Sequence, residues 1–253
     1  MALELRNPHS VLAALQTRPR DVLEVKMHGN QPRGAWKDVI ATAERQAVRI
    51  RRDVARNEGQ HSKRGRRDAP SDERTGAGSA TVKERSDVTL AEMWSDVAEQ
   101  DSHTGGLWLA LDQLQDPHNV GAIFRTAAFF GVKGIILTRD RSAPLSGATY
   151  DVAAGGAEYV PFSMQTNLSR ALDAAKKSGL WILGTSERAE QDLSEFQPDR
   201  PWLLVLGNEQ KGMRRLTAEK CDVTCRMTSH GEVASLNVSV AAALLISALT
   251  PKL

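Results

Sequence analysis

The stretch from Leu107 to Thr138, LWLALDQLQDPHNVGAIFRTAAFFGVKGIILT, decides the fold. It opens with an apolar run, LWLALDQL, that ends in polar residues. A helix is predicted from about Val120 to Phe130, closed by Gly131, and GIILT is the next strand. Short continuous apolar strands alternating with helices indicate a parallel sheet buried on both faces. The pattern continues outward. A helix is expected over Leu168–Lys177, with Gly179 after it. LWILGT (180–185), PWLLVLG (201–207) and DVTCRM (222–227) read as strands, and MRRLTAEK (213–220) as a short helix. The segment SLNVSVAAALLISAL (235–249) is apolar nearly all round, so its helix is expected to be buried. Ligands of such α/β sheets bind at the strand C-terminal ends.

The chain has 253 residues, 41% hydrophobic and 25% charged. That is long enough for one or two packed domains without staples. No run of about 18 apolar residues occurs, which excludes a membrane-spanning helix. The N-terminus has no uninterrupted apolar stretch, so no signal peptide is expected and a cytoplasmic location is. Cys221 and Cys225 are the only cysteines. Two cysteines argue against a disulfide framework, and CxxxC without paired His or Cys is a poor zinc pattern, so no metal is expected.

Before the α/β region, residues 1–55 read as a small α+β unit. Ser10 is a candidate cap for a helix over VLAALQ. VLEVKM (22–27) reads as a strand and Ala35–Ala47 as a helix. AVRIRRDV (47–54) fits either a strand or a helix end. Residues 56–88 hold almost no large apolar side chain and read as a flexible linker or insertion. TLAEMWSDVAEQ (89–100) then offers a short amphipathic helix, and residues 89–253 form the α/β domain. Between Arg45 and Arg67 nine basic residues face two acids, a local +7 in a chain of net +2. Either a solvated tether or an arm for a polyanion fits that asymmetry. As an RNA-gripping arm it would use Arg45, Arg49, Arg52, Arg56, Lys63, Arg64, Arg66 and Arg67.

Three polar clusters fall at predicted strand ends. The first is Asp112 with Asp116-Pro117-His118-Asn119-Val120-Gly121 and then Arg125. Asn119 fits a helix cap as well as a binding role. Arg125 lies among apolar and small residues, so it must reach a charge, an anion or water. The second is Gly207-Asn208-Glu209-Gln210-Lys211-Gly212, two glycines flanking a carboxylate. The third is His230 to Ser239, where Ser235 is a candidate cap for the last helix. Walker-type and GxGxxG phosphate fingerprints are absent. These residues alone support an enzyme acting on a small molecule or on RNA.

In this order and spacing, LALDQLQDPHNVGAIFRTAAFFGV, LLVLGNEQKGMRRL and GEVASLNVSVAAALL resemble the three motifs of the SpoU/TrmH family of RNA ribose 2′-O-methyltransferases, in the SPOUT superfamily. The match covers roughly Leu107 to Leu249. RNPHSVLAALQ and DVLEVKM resemble the small L30-like RNA-binding domain of the branch that methylates a guanosine of 23S rRNA. The family's tRNA branch typically carries a basic C-terminal tail, whereas this sequence stops at Thr250-Pro251-Lys252-Leu253, which favours rRNA.

The resemblance implies an α/β parallel-sheet SPOUT domain with a C-terminal trefoil knot, preceded by the small α+β domain. It also implies S-adenosylmethionine as cofactor and a homodimer whose site borrows from both subunits. By the match, Thr185, Gly207, Met227 and Leu236 hold the cofactor. Asn119, Arg125, Glu209, Ser235 and Asn237 occupy the polar active-site positions. Arg125 is the group favoured to activate the hydroxyl. An arginine stays protonated below about pH 12, which makes it a better anion clamp than a base. Where the family commonly has Ile-Pro-Met, this chain has Met227-Thr228-Ser229, and losing the proline is expected to loosen a cofactor loop. The competing readings are a tRNA enzyme and a catalytically silent RNA-binding scaffold. Retention of the whole polar set speaks against the scaffold.

Overall fold

The computed structural model describes residues 2–29, 31–53, 77–95, 97 and 105–250. In chain order the N-terminal unit runs β1 (Ala2–Leu5), α1 (Pro8–Thr17), β2 (Val22–His28), α2 (Trp36–Arg45), β3 (Ile50–Asp53) and β4 (Gly78–Lys83). After it come α3 (Leu90–Met93), β5 (Leu107–Leu111), α4 (Pro117–Phe129), β6 (Gly134–Thr138), α5 (Gly147–Ala153), α6 (Gly156–Tyr159), β7 (Phe162–Gln165) and α7 (Leu168–Lys177). The chain continues through β8 (Trp181–Thr185), β9 (Gln191–Asp192), β10 (Trp202–Leu206), α8 (Arg215–Ala218), β11 (Val223–Arg226) and α9 (Val238–Leu249).

The larger sheet has the order β7-β6-β5-β10-β8-β11-β9, and every neighbouring pair in it is parallel. All five residues of β5, of β6 and of β10 are buried, as helices on both faces require. The α/β parallel-sheet architecture expected from the sequence is therefore present. The helices obey their sequence signals. In α7, Leu168, Ala171, Leu172 and Ala175 form the buried stripe, Asn167 caps the start, and Gly179 with φ +93° follows the end. Gly121 lets α4 pack closely on α5, because a Cβ there would meet the Thr149 carbonyl oxygen at 2.5 Å.

Several boundaries differ from expectation. Asn7, not Ser10, caps α1, with its side chain accepting from the His9 amide; Pro8 starts the helix. Ser10 is buried within α1, and its hydroxyl donates to the Tyr150 carbonyl at 2.6 Å. The AVRIRRDV stretch resolves as strand β3, paired parallel to β2. The linker expected over 56–88 reaches too far. Residues 78–83 form β4, an inner strand of the four-stranded sheet β1-β4-β2-β3. Its apolar content is small, but Ala80 and Val82 are fully buried and the ladder bonds on both sides hold it. Residues 54–76 lie outside the described residues, and with them Arg56, Lys63, Arg64, Arg66 and Arg67.

One continuous apolar core joins the four-stranded sheet to one face of the seven-stranded sheet, running from Leu5, Val25 and Val82 to Leu109, Phe124 and Leu204. Polar bonds cross the same seam. The buried Glu158 carboxylate receives Arg18 Nε and Nη2, both at 2.7 Å. Arg18 Nη1 donates to the Lys83 carbonyl at 2.6 Å. Asp151 Oδ1 accepts from the amides of Arg6 and Asn7, each at 2.8 Å. Glu158→Ala should thus destabilise the protein by about 3–5 kcal/mol in urea titration, because it takes the two-pronged carboxylate partner from a largely buried guanidinium. The double variant Arg18→Met/Glu158→Leu should recover most of that loss.

Candidate active site

The loops leaving β5 and β10 and the turn entering α9 meet over a cavity of about 410 Å³. It is lined by Gln115, Asp116, Asn119, Asn208, Glu209, Gln210, Leu236, Asn237 and Val238. Parallel strands bring this about: β5 and β10 are neighbours in register, so Leu111 and Leu206 end side by side and their loops share one edge.

Glu209 joins the three motifs. Its Oε1 accepts from the backbone amides of Gln115 and Asp116 and from Asn119 Nδ2, each at 3.3 Å. Asn119 Oδ1 in turn accepts from Asn237 Nδ2 at 3.1 Å. Asn237 Oδ1 caps α9, taking the Ser239 amide at 2.8 Å and its hydroxyl at 2.6 Å. These bonds fix which way both amides face the cavity. Asn208 shapes the loop itself: its Oδ1 accepts from the Gln210 and Lys211 amides, and its Nδ2 donates to the Gln113 carbonyl at 2.8 Å. Reciprocal backbone bonds between Asn208 and Gly212 close the turn. Gly207 is required there, since a Cβ would lie 2.3 Å from the Gly212 carbonyl carbon and the Met213 nitrogen.

Three expected sites, Asn119, Glu209 and Asn237, are therefore brought together, with Asn119 inside α4 and not at its cap. Asp116 is the cap, accepting from the His118 amide at 2.8 Å. The cap reading of Ser235 is corrected, because Asn237 caps α9; Ser235 is exposed and stands outside the cavity lining. Arg125 is not in the cavity either. It is exposed on α4, and its side chain makes no hydrogen bond or ion pair among the described residues. Thr185, Gly207 and Met227 stand at or just beyond the C-terminal ends of β8, β10 and β11, adjacent strands, while Leu236 lines the cavity. The Thr185 hydroxyl is already engaged, donating to the Val205 carbonyl at 3.2 Å. The loop after β11 is tied without a proline: the Thr228 hydroxyl donates to Asp192, and the Ser229 hydroxyl donates to the Val233 carbonyl at 2.7 Å. Of the expected RNA-contacting set, Arg45 ends α2, Arg49 directly precedes the outer strand β3 and Arg52 lies within it; all three are exposed, and Arg49 pairs with Glu24 at 3.3 Å.

Sequence reasoning left Asp112 without a role. Its carboxylate is fully buried at the end of β5, where it receives the Arg214 amide at 3.1 Å and Arg214 Nε at 2.7 Å. This pair fastens the end of the β10 loop to β5. Among the described residues no group of three or more His, Cys, Asp or Glu is placed to hold a metal ion. Burial pushes the Cys221 thiol up to about 12 and the Cys225 thiol up to about 11.

Fold and site together define an α/β protein with a polar ligand pocket at the C-terminal edge of a parallel sheet. The family model of the SpoU rRNA methylases matches residues 106–247, and the chain belongs to that family. A 23S rRNA (guanosine-2′-O-)-methyltransferase of Pseudomonas aeruginosa is 47% identical over 135 residues, 53% of this chain and 54% of that relative. The chain thus spans about half of that relative's length. A protein of the same name from Nitrosomonas europaea is 33% identical over 94% of this chain and 87% of its own. In fold, the chain is similar to the SpoU methyltransferase AviRb of Streptomyces viridochromogenes in complex with AdoMet, with a TM-score of 0.72, 20% identity and coverage of 98% of this chain and 89% of that one.

Two outcomes follow from the local chemistry. Arg214→Ala should lower stability by about 2–3 kcal/mol in urea titration, since it strips a buried carboxylate of charge-assisted bonds. At pH 8 neither cysteine should react with a thiol reagent such as dithionitrobenzoate in the folded protein, and both should react in guanidinium chloride.

Proposed function

We propose that this chain methylates a ribose 2′-hydroxyl of RNA with S-adenosylmethionine, its substrate a guanosine of 23S rRNA in the cytoplasm. The observation that carries this reading is the convergence of Asn119, Glu209 and Asn237, one from each motif, on a single pocket. The names of the Pseudomonas and Nitrosomonas relatives supply the substrate. The fit to the cofactor is supported by a turn at Gly207 with no room for a side chain, by three adjacent strand ends that carry Thr185, Gly207 and Met227, and by the apolar Leu236 in the cavity wall. Gly207, Met227 and Leu236 would hold it, with Thr185 beside them. When bound, it supplies a methyl group on a positively charged sulfur leaving group.

The protein's share of the reaction is alignment and charge. Glu209 holds the Asn119 amide, and Asn119 holds that of Asn237, so neither amide is free to turn. This presents fixed donors and acceptors to a ribose without reorganisation at the moment of reaction. Arg125 serves as the clamp for the RNA phosphate, easing loss of the hydroxyl proton.

That role places Arg125 in the site of a second copy, and the exposed apolar surface supports a homodimer. The last helix was expected to be buried all round. Instead Val240 and Leu244 on α9 are 48% and 50% exposed, and Phe129, one turn from Arg125 on α4, is 83% exposed. A partner copy would cover them. The C-terminal trefoil knot and the L30-like character of the N-terminal unit belong to the same reading. The strand order β10-β8-β11, with residue 237 returning to the β5 and β10 loops, supports the first. The mixed four-stranded sheet with α1 and α2 supports the second.

With radiolabelled S-adenosylmethionine and unmodified RNA fractionated into 23S, 16S and tRNA, label should enter 23S. Label in tRNA alone would overturn the substrate, and no label in any fraction would overturn the activity. Arg125→Ala should lower transfer by about 10³-fold with the fold retained. Mixing the inactive Arg125→Ala and Asn237→Ala variants should restore about a quarter of wild-type activity if sites are shared between copies, and none if each chain is self-sufficient.

A further inference from the structure

Two long polar side chains occupy backbone positions that glycine would hold at lower cost. Gln113 has φ +62° and Arg141 has φ +56°. Left-handed backbone costs a non-glycine residue on the order of 1 kcal/mol or more. These two residues sit on neighbouring loops, after β5 and β6. The buried Thr138 hydroxyl accepts from the Gln113 amide at 3.1 Å and shares a hydrogen bond with Ser142 Oγ. The Ala143 amide donates to the Leu114 carbonyl at 2.8 Å. The 139–142 turn is thereby braced against the segment that leads into Gln115, a residue of the cavity wall. Arg141 therefore stands on a braced loop that is bonded to the segment leading into the cavity wall.

Its surroundings leave its charge unused. Arg141 is exposed and makes no hydrogen bond or ion pair among the described residues. Arg139, two residues before it, is held by Asp87 at 3.5 Å. On the cavity side, Glu209 is occupied by backbone and asparagine donors, and Asp116 caps α4. A guanidinium without an acid partner, carried on a braced turn next to the segment that walls the pocket, suits a phosphate oxygen.

We propose that Arg141 binds a backbone phosphate of the substrate RNA next to the nucleotide entering the pocket. This rests on the RNA-methylation reading, and it differs from the role given to Arg125 because the Arg141 loop is bonded to the segment that enters the pocket wall of its own chain. Arg141 is a substrate-positioning residue, so its loss should appear in RNA binding and not in the chemical step.

The test uses the full chain with an unmodified 23S rRNA transcript. Steady-state methyl transfer is measured alongside filter binding from 50 to 200 mM salt. Arg141→Gly keeps the left-handed backbone without strain, so folding is preserved. It should raise the KM for RNA about tenfold, leave kcat within about twofold, and reduce the slope of log affinity against log salt by about one. Arg141→Lys should recover most of the affinity. Arg170→Ala, which removes the same charge from α7, should change neither quantity. An Arg141→Gly protein with wild-type KM and salt slope would overturn the proposal while leaving the activity intact. A wild-type protein that binds the transcript but transfers no methyl would overturn the activity, and the salt slope would still decide Arg141. A wild-type protein that does not bind it would overturn both.

Discussion

A carboxylate at the edge of a sheet needs donors, and Glu209 finds them on segments far apart in sequence. The amides of Gln115 and Asp116, still unpaired at the entry to α4, and the side chain of Asn119 all turn toward Oε1. Orphan amides at a helix start attract negative charge, and here the protein supplies that charge from its own neighbouring loop. Once Glu209 is placed, Asn119 has one orientation, and through Asn119 so does Asn237. The pocket is a consequence of this chain of bonds, which runs from the β10 loop through α4 to the start of α9.

The sheet makes the arrangement possible. Fully buried parallel strands can end only at loops that share an edge, and β5 and β10 lie in register at its centre. Asp112 strengthens the same edge from within by anchoring Arg214, so the turn from Gly207 to Gly212 is fastened at both ends. The N-terminal unit adds support from another side. It shares a core with α4 to α6 and seals the contact with the Arg18–Glu158 pair. Interfaces between units of one chain are commonly small and polar and allow relative motion. This one is continuous with the hydrophobic core, which holds α4 and the residues it carries in a defined position.

Much of this was legible in the sequence, for identifiable reasons. The runs LWLAL, GIILT and WLLVL are apolar without alternation, and only doubly covered strands tolerate that. The resemblance of the three motifs marks Asn119, Glu209 and Asn237 as site residues, since position alone leaves helix capping open for Asn119 and Asn237 does cap α9. What escaped notice depends on long-range partners. Residues 78–83 look like linker because serine, alanine and threonine carry little apolar surface. They become a strand only because β1 and β2 offer ladders on both sides. Caps went to Asn7, Asp116 and Asn237 in place of Ser10, Asn119 and Ser235, each choice set by where the chain enters its helix. The α9 helix reads as a buried core element from its composition. One face of it is open in the single chain, and periodicity cannot tell a core from an interface between copies.

A pocket that acts on the ribose of an RNA leaves its mark on the labelled product. Alkali cleaves RNA by attack of the 2′-hydroxyl on the adjacent phosphate, so a methyl on that oxygen blocks cleavage. Full alkaline hydrolysis of methyl-labelled 23S rRNA should leave the label in an alkali-stable dinucleotide beginning with guanosine. Label released in a mononucleotide would place the methyl on a base and contradict the account.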